Sequence, residues 1–170
     1  MPVINILIFV VTFWLVVLAI IYFLLNYYNK KNLVATERFI SQSSEFKPAL
    51  LQNIKLRYWI TNRARTSSSP NNHCDIYLFD DLLAIVRRQN FIFKVFFAPV
   101  LITSDIERTK SIFNYLSVYK PARITFNQIV KGEIDIKVKD PIYGHYKIDI
   151  TFKGLTSEQL TQLIKIKNWC

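Results

Sequence analysis

The chain has 170 residues, of which 51% are hydrophobic, and it carries a formal net charge of +10. With three glycines and two cysteines, it has neither a glycine-rich phosphate loop nor the cysteine density of a disulfide-stapled secreted domain. Its length after the first apolar segment suits one domain with a real core. The cationic excess favours anionic partners.

The first predicted element is an apolar helix. Between Val3 and Leu25 no residue is charged. As a helix this run is about 34 Å long, enough to cross a hydrocarbon core of about 30 Å. A cleavable leader would have a basic segment before the apolar run and small residues after it, whereas this run ends in tyrosines and lysines. We predict a retained transmembrane helix over residues 1–29, with a signal peptide as the alternative.

The residues that follow this helix predict its orientation. Tyr27 and Tyr28 are of the type that anchors a span at the membrane interface, and Lys30 and Lys31 come directly after them. Because an excess of Lys and Arg marks the cytoplasmic side, the N-terminus is predicted to lie outside. The pattern indicates a single-pass protein of the cell inner (plasma) membrane with a cytoplasmic C-terminal domain.

A juxtamembrane connector is predicted over residues 30–49, because charged and apolar residues mix there and Pro48 breaks any helix. The folded domain is predicted over residues 50–170. It begins with the strand "IKLRYWITNRAR", followed by "TSSSPNNH" as a polar loop. Along the strand two sets of residues alternate, Leu56, Tyr58 and Ile60 on one side and Lys55, Arg57 and Trp59 on the other.

Two more β-rich segments come next. "CDIYLFDDLLAIVRRQ" predicts a tight hairpin that turns at Asp80 and Asp81. "FIFKVFFAPVLIT" predicts a long strand buried on both faces, which Pro99 ends or bends at a bulge.

A change of period then predicts an inserted helix. Ser104 and Glu107 have the spacing of a capping box, and Pro121 prevents continuation. The predicted apolar face of this helix contains Ile106, Phe113 and Leu116, with Ile112 beside it. Three alternating strands follow as a meander, "ARITFNQIV", "EIDIKVK" and "YKIDITF".

The last segment predicts a C-terminal amphipathic helix. Thr156 and Gln159 form a capping-box pair, and Leu155 and Leu160 have the spacing of a hydrophobic staple. Leu163 and Ile164 are predicted to extend the apolar stripe that covers the domain. About seven strands in two antiparallel groups therefore precede one closing helix.

This pattern resembles the pleckstrin-homology (PH) superfold, in particular the small bacterial PH-like and GRAM-like domains found beside transmembrane helices. The stretches that carry the resemblance are "DIYLFDDLLAIVRR" and "YKIDITFKGLTSEQLTQLIKIKNW", and it covers roughly residues 50–169. The resemblance implies an α+β, mainly β fold, a PH-like antiparallel barrel or sandwich with a C-terminal helix and one inserted helix. A fold-level resemblance implies no activity by itself.

Residues for metal or catalytic chemistry are sparse. His73 and Cys74 are adjacent and point to opposite faces of a strand, while His145 and Cys170 are isolated, so no metal site is predicted. No nucleophile elbow is present, and the Asp80–Asp81 pair is better explained as a turn. We predict no cofactor and no enzymatic activity.

Cationic residues give the one candidate binding site. Lys55, Arg57, Arg63 and Arg65 lie on and just after the first predicted strand, where they would contact anionic lipid headgroups of the adjacent bilayer. A solvated strand face near a membrane would show the same pattern. Nucleic acid is disfavoured because no recognition motif accompanies the charge.

The sequence thus indicates a membrane-anchored binding or scaffold module that contacts anionic headgroups or a protein partner. The alternatives are a subunit of a larger membrane complex and a membrane-tethered enzyme of unrecognised type.

Overall fold

The structure, a computed structural model, describes the backbone of residues 2–62, 65–89, 95–126, 132–139 and 147–169. Side chains are described for residues 6–58, 73–87, 97–126, 132–138 and 148–169. The helices within these ranges are α1 (Pro2–Ser44), α2 (Ile106–Ile112), α3 (Ser157–Leu163) and a 3₁₀ helix (Ile164–Trp169). The strands are β1 (Ala49–Asn62), β2 (Arg65–Leu78), β3 (Leu82–Gln89), β4 (Val95–Phe96), β5 (Val100–Thr103), β6 (Ser117–Tyr119), β7 (Pro121–Phe126), β8 (Ile134–Lys139) and β9 (Lys147–Lys153).

Helix α1 is long and apolar enough to cross a membrane. Its most apolar window of 18 residues has a mean hydropathy of 3.0, and none of that window is buried in the protein. An exposed surface of this size is unfavourable in water and favourable in lipid. The finding fits the predicted span, although a signal sequence near an N-terminus can also be long and apolar enough to meet this criterion.

The helix continues through the predicted connector as far as Ser44, before Pro48. Thr36, Phe39 and Ser43 recur on one helical face and are buried, with Phe39 fully inaccessible. Packing of this face on the domain explains why a segment of mixed composition stays helical, because tertiary contacts outweigh local propensity.

All nine strands belong to one sheet, in the order β6-β5-β3-β2-β1-β9-β8-β7, with β4 beside β3. The two end strands of this path are consecutive in the chain and are separated by a single residue, Lys120. The sheet must therefore curl until its ends approach, which gives a nearly closed barrel. The two predicted strand groups are joined into this one sheet by the antiparallel pairing of β1 with β9.

The predicted loop "TSSSPNNH" is wrong, because these residues lie within β2 and pair with β1. Their polarity suited a loop, yet pairing along the long β1 strand satisfies their backbone hydrogen-bonding groups. Leu56 pairs with Asn72 and Tyr58 with Ser69, so two residues of β2 lie opposite one residue of β1. Pro70 is one of the two, a bulge position that a sheet tolerates for a residue without an N–H.

The predicted hairpin at Asp80 and Asp81 is present, with Leu78 paired to Leu83 and the Phe79 N–H donating to the Leu82 carbonyl at 2.8 Å. Residues 91–94 of the long apolar strand predicted after it lie outside the described residues, and the rest is divided into β4 and β5, both paired with β3. Residues 97–99 between them lie opposite only two residues of β3, Val86 and Arg87. This is the bulge at Pro99 that the sequence offered as one of two outcomes.

Two hydrophobic cores lie on opposite faces of the sheet. The interior core holds alternate residues of β3, such as Leu83 and Ile85, together with Leu163 and Trp169 from the C-terminal helices. The outer core holds Ala84 and the other alternate residues of β3, covered by α1 and by the α2 region. Strands β3 and β5 are therefore buried on both faces, as the sequence predicted for β5.

The inserted helix exists, but its predicted cap is wrong by one residue. Asp105, not Ser104, is the N-cap, and its carboxylate accepts the Arg108 N–H at 3.1 Å. The Thr103 hydroxyl accepts the Asp105 N–H at 3.1 Å and so holds the cap residue in place. The helix ends at Ile112, and Phe113 and Leu116 are buried beyond it in the outer core.

The C-terminal helix begins as predicted, with a reciprocal capping box between Thr156 and Gln159. Leu163 is fully buried, but Ile164 is 56% exposed, so its predicted place in the apolar stripe is wrong. The chain tightens into a 3₁₀ helix at that point, which changes the period and places Ile166 and Trp169 in the core instead.

Candidate functional sites

Lys55 and Arg57 lie on the outer face of β1, and both are exposed. Leu56 and Tyr58 between and beside them point into the barrel and are buried. The alternation that the sequence predicted for this strand is present over these residues.

The sheet surrounds these two cations with charges of both signs. Lys55 pairs across to Lys153, whose ammonium lies 3.0 Å from a Glu133 carboxylate oxygen. Arg57 pairs across to Thr151, whose hydroxyl donates to Asp135 at 2.7 Å. The described part of this face is thus a mixed surface and not a purely basic one.

The other two predicted headgroup contacts are not brought into the same place. Arg65 begins β2 and pairs with Asn62 of β1. Asn62 is five residues beyond Arg57, so Arg65 lies roughly 16 Å from Arg57 along the strand direction. Arg63 lies outside the described residues. Of the four cations predicted to contact headgroups, only Lys55 and Arg57 are therefore shown by the described residues to share one patch.

The predicted membrane anchors lie on the exposed part of α1. The rings of Tyr27 and Tyr28 meet edge to face at 5.8 Å, and both side chains are exposed. Lys30 and Lys31 are also exposed and follow within the same helix. This arrangement suits residues that face a membrane interface.

Sequence reasoning missed a groove of about 530 Å³ at one end of the barrel. It is lined by residues 46–49 after α1, residues 78–81 at the β2–β3 turn, Arg108 of α2, and Gln162 and Lys165 of the C-terminal helices. Four segments that are distant in sequence meet here, so no local sequence pattern predicts the groove. Its volume lies in the range of ligand-binding clefts.

A smaller apolar cleft opens beside this groove and shares four of its lining residues, Phe46, Phe79, Asp81 and Arg108. The Arg108 guanidinium forms an ion pair with Asp81 at 3.1 Å between the two spaces. Gln162, which also lines the groove, has a side-chain oxygen that is buried and has no hydrogen-bond partner. A ligand with an apolar group would match the apolar cleft.

A second feature that sequence reasoning missed lies inside the barrel. Arg87 pairs across from buried Cys74, and its guanidinium carbon lies 4.4 Å from the Tyr58 ring centroid and 4.5 Å from the Phe97 ring centroid. The Nε atom of Arg87 is buried and has no hydrogen-bond partner. Burial lowers the pKa of Arg87 and raises the pKa of Tyr58.

The described residues contain no group of three or more His, Cys, Asp or Glu side chains placed to hold a metal ion. Cys74 lies in the interior core while His73, the next residue, is partly exposed. Burial raises the pKa of the Cys74 thiol to about 12, which keeps it protonated and unreactive. His145 and Cys170 lie outside the described residues.

Comparisons with protein-family models, curated proteins and solved structures find no match to this chain. A proposal for the function therefore depends on the geometry and charge of the described residues.

Proposed function

We propose that the protein is a single-pass membrane-anchored binding module that holds a PH-like barrel in the cytoplasm. One observation carries the proposal: the helix that is long enough to span a bilayer ends as part of the domain's outer core, through fully buried Phe39. A leader to be discarded has no need of such packing. The resemblance to PH-like domains is supported by the curled sheet, which is antiparallel except for the parallel pair β5–β6, and by the closing C-terminal helix.

The anchor is further attached by polar contacts near the point where it meets the barrel. The Arg38 guanidinium lies 4.2 Å from the ring centroid of Tyr115, and the Tyr115 hydroxyl donates to Gln42 at 2.6 Å. Both contacts join α1 to the segment after α2. They support a barrel held close to the bilayer instead of one that swings on a flexible linker.

Anionic headgroups are one partner of this module. A net charge of +10 attracts the inner leaflet, with each cation near the surface contributing about 1 kcal/mol. Because carboxylates accompany Lys55 and Arg57, we propose weak and salt-sensitive attraction instead of recognition of one headgroup.

Vesicle binding tests this lipid contact. The full-length protein in nanodiscs should capture vesicles that contain phosphatidylserine more than neutral ones, and added salt should weaken capture because screening acts over about 8 Å at physiological ionic strength. Lys55→Glu with Arg57→Glu should reduce capture more than Lys165→Glu with Lys167→Glu on the 3₁₀ helix. Equal losses in the two double variants would contradict a specific role for β1.

A protein partner is the second candidate, favoured by the groove beside the β2–β3 turn. Phe46 at its edge is 52% exposed, and the cleft behind it is lined by further apolar side chains. An apolar pocket bordered by charges is typical of protein interaction sites. In this form the protein would be a subunit of a larger membrane complex.

Co-purification in mild detergent tests the protein-partner candidate. Tagged full-length protein should retain a partner that Phe46→Ser releases, while Ile40→Ser on the exposed face of α1 should retain it. A partner released equally by both substitutions, or by neither, would show that the groove is not the contact.

A further inference from the structure

The Arg87 guanidinium lies beside two aromatic rings and has one buried donor without a partner. The ring centroids of Tyr58 and Phe97 lie 4.4 and 4.5 Å from its central carbon, within the range of cation–π contacts. Its Nε–H is buried and has no hydrogen-bond partner among the described residues. The rings thus contact the cation without accepting a hydrogen bond from this donor.

Arg87 points into the barrel, where its side chain is partly buried. Its strand neighbours Ile85 and Val86 lie in the interior and outer cores, respectively, so alternation directs Arg87 inward with Ile85. Cys74, directly across on β2, also lies in the interior core. An inward cation among apolar side chains carries a desolvation cost that a counter-charge normally offsets.

No described carboxylate supplies that counter-charge. Neither of the ion pairs Arg108–Asp81 and Lys153–Glu133 involves Arg87. The groups that favour its charged form are the side chains of Tyr58, Cys74 and Tyr119, none of which is a carboxylate. Its buried Nε–H has no acceptor among the described residues.

We propose that Arg87 binds an oxyanion, the carboxylate or phosphate group of a ligand that enters the barrel beside Tyr58 and Phe97. A guanidinium matches such groups because two parallel N–H donors meet two oxygens. The two rings beside the guanidinium limit its motion before the ligand arrives, which lowers the entropy cost of binding. This site is separate from the outer face of β1 and from the groove at the β2–β3 turn.

Thermal unfolding of the full-length protein in detergent tests the site. Sodium phosphate and sodium acetate should each be compared with sodium chloride at equal ionic strength, and at least one should raise the Tm by a few degrees more than chloride. Arg87→Gln should lose this rise, and Arg87→Lys should lose most of it because an ammonium lacks the two-donor edge. Arg108→Gln, which removes an arginine already paired with Asp81, should keep it.

A wild-type Tm that responds no more to either oxyanion than to chloride would overturn the proposal. An oxyanion response retained in both Arg87 variants would also overturn it, since the ion would then act elsewhere. Should the variants fail to fold, the arginine Nε–H resonances of the wild-type protein decide: one buried resonance should shift saturably with phosphate or acetate, and unchanged resonances refute the site.

The source of the oxyanion is distinguished by a third ligand, water-soluble dihexanoyl phosphatidic acid. A Tm rise with this lipid that is larger than with phosphate, and that needs Arg87, would assign the site to a lipid headgroup. Equal responses would assign it to a soluble phosphate or carboxylate compound.

Discussion

Single residues set the local geometry of the barrel, and Gly132 is the clearest case. It has φ of +83°, and a Cβ atom placed there would lie 2.7 Å from the Leu155 carbonyl oxygen. The same glycine carbonyl accepts the Leu155 N–H at 3.0 Å, so the two chain segments cannot separate without loss of a hydrogen bond.

Gly132→Ala should therefore destabilise the protein more than Gly154→Ala. Gly154 also has a positive φ, of +68°, but a Cβ there meets no atom within 4 Å, so its substitution should cost only the backbone strain of about 1–2 kcal/mol. Urea unfolding of both variants in detergent measures the difference. Equal losses would show that the contact with Leu155 relaxes freely.

The buried Cys74 thiol predicts an alkaline loss of stability. Burial, assisted by neighbouring Asp75, raises its pKa in the folded protein to about 12, whereas an unfolded thiol ionises near pH 8.5–9. The unfolded chain thus loses a proton that the folded chain keeps, and the stabilisation present below about pH 9 is lost as the pH rises towards 12. Urea unfolding at about pH 8 and pH 10.5 should show a smaller loss for Cys74→Ala than for the wild type.

Raised tyrosine pKa values, including that of Tyr58, act in the same direction, so Cys74→Ala should reduce the alkaline loss without abolishing it. An identical pH dependence in the two proteins would contradict the contribution of the thiol. Reaction of Cys74 with iodoacetamide in the folded protein near pH 8 would contradict its burial.

At the scale of elements, the C-terminal helix should contribute through Leu163 and not through its neighbour. Leu163 is fully buried and Ile164 is 56% exposed. Leu163→Ala should cost about 2–5 kcal/mol of unfolding free energy, and Ile164→Ala, an exposed substitution, should stay within about 0.5 kcal/mol. Denaturant unfolding compares them directly, and similar losses would reject the observed switch to a 3₁₀ helix.

Two neighbouring residues near the end of α1, one buried and one exposed, allow a second comparison of substitutions. Phe39 is fully buried against Tyr77 and Phe113, with ring centroids 5.5 and 5.4 Å away, while Ile40 is 40% exposed. Phe39→Ala should cost about 3–5 kcal/mol, and Ile40→Ala much less. Full-length protein in detergent is the sample to use, and a Phe39→Ala variant as stable as the wild type would place α1 off the barrel.

Elements with strong local signals were predictable from the sequence, and those defined by distant contacts were not. The reciprocal cap of Thr156 and Gln159 and the turn at Asp80 and Asp81 depend on residues a few positions apart. The polar first half of strand β2 was missed because it is held by pairing with β1, which composition does not reveal.

The candidate sites show the same division. Alternation was enough to place Lys55 and Arg57 on an outer face, but not to show the carboxylates that β8 and β9 bring beside them. The groove and the ring-stacked Arg87 were missed because each is assembled from separate strands and turns.

At the scale of the whole molecule, the basic flank predicts that the barrel faces the cytoplasm. A C-terminal reporter that is active only in the cytoplasm should work, and one that needs export should not. A control with the lysines moved before the span, as Lys30→Ser and Lys31→Ser with two lysines added after Met1, should weaken this preference. Digestion of the barrel by a protease added outside intact cells would show that the orientation is the opposite of the predicted one.

Helix α1 ends inside the outer core with no flexible link before it. Transmembrane helices lean in a bilayer, by about 20° on average and more where the bilayer is thin. If α1 spans the bilayer as proposed, a tilt of the helix would tilt the barrel with it, and bilayer thickness would change the direction in which the groove faces. Under that proposal, the surrounding lipid would set the angle at which the domain meets a partner.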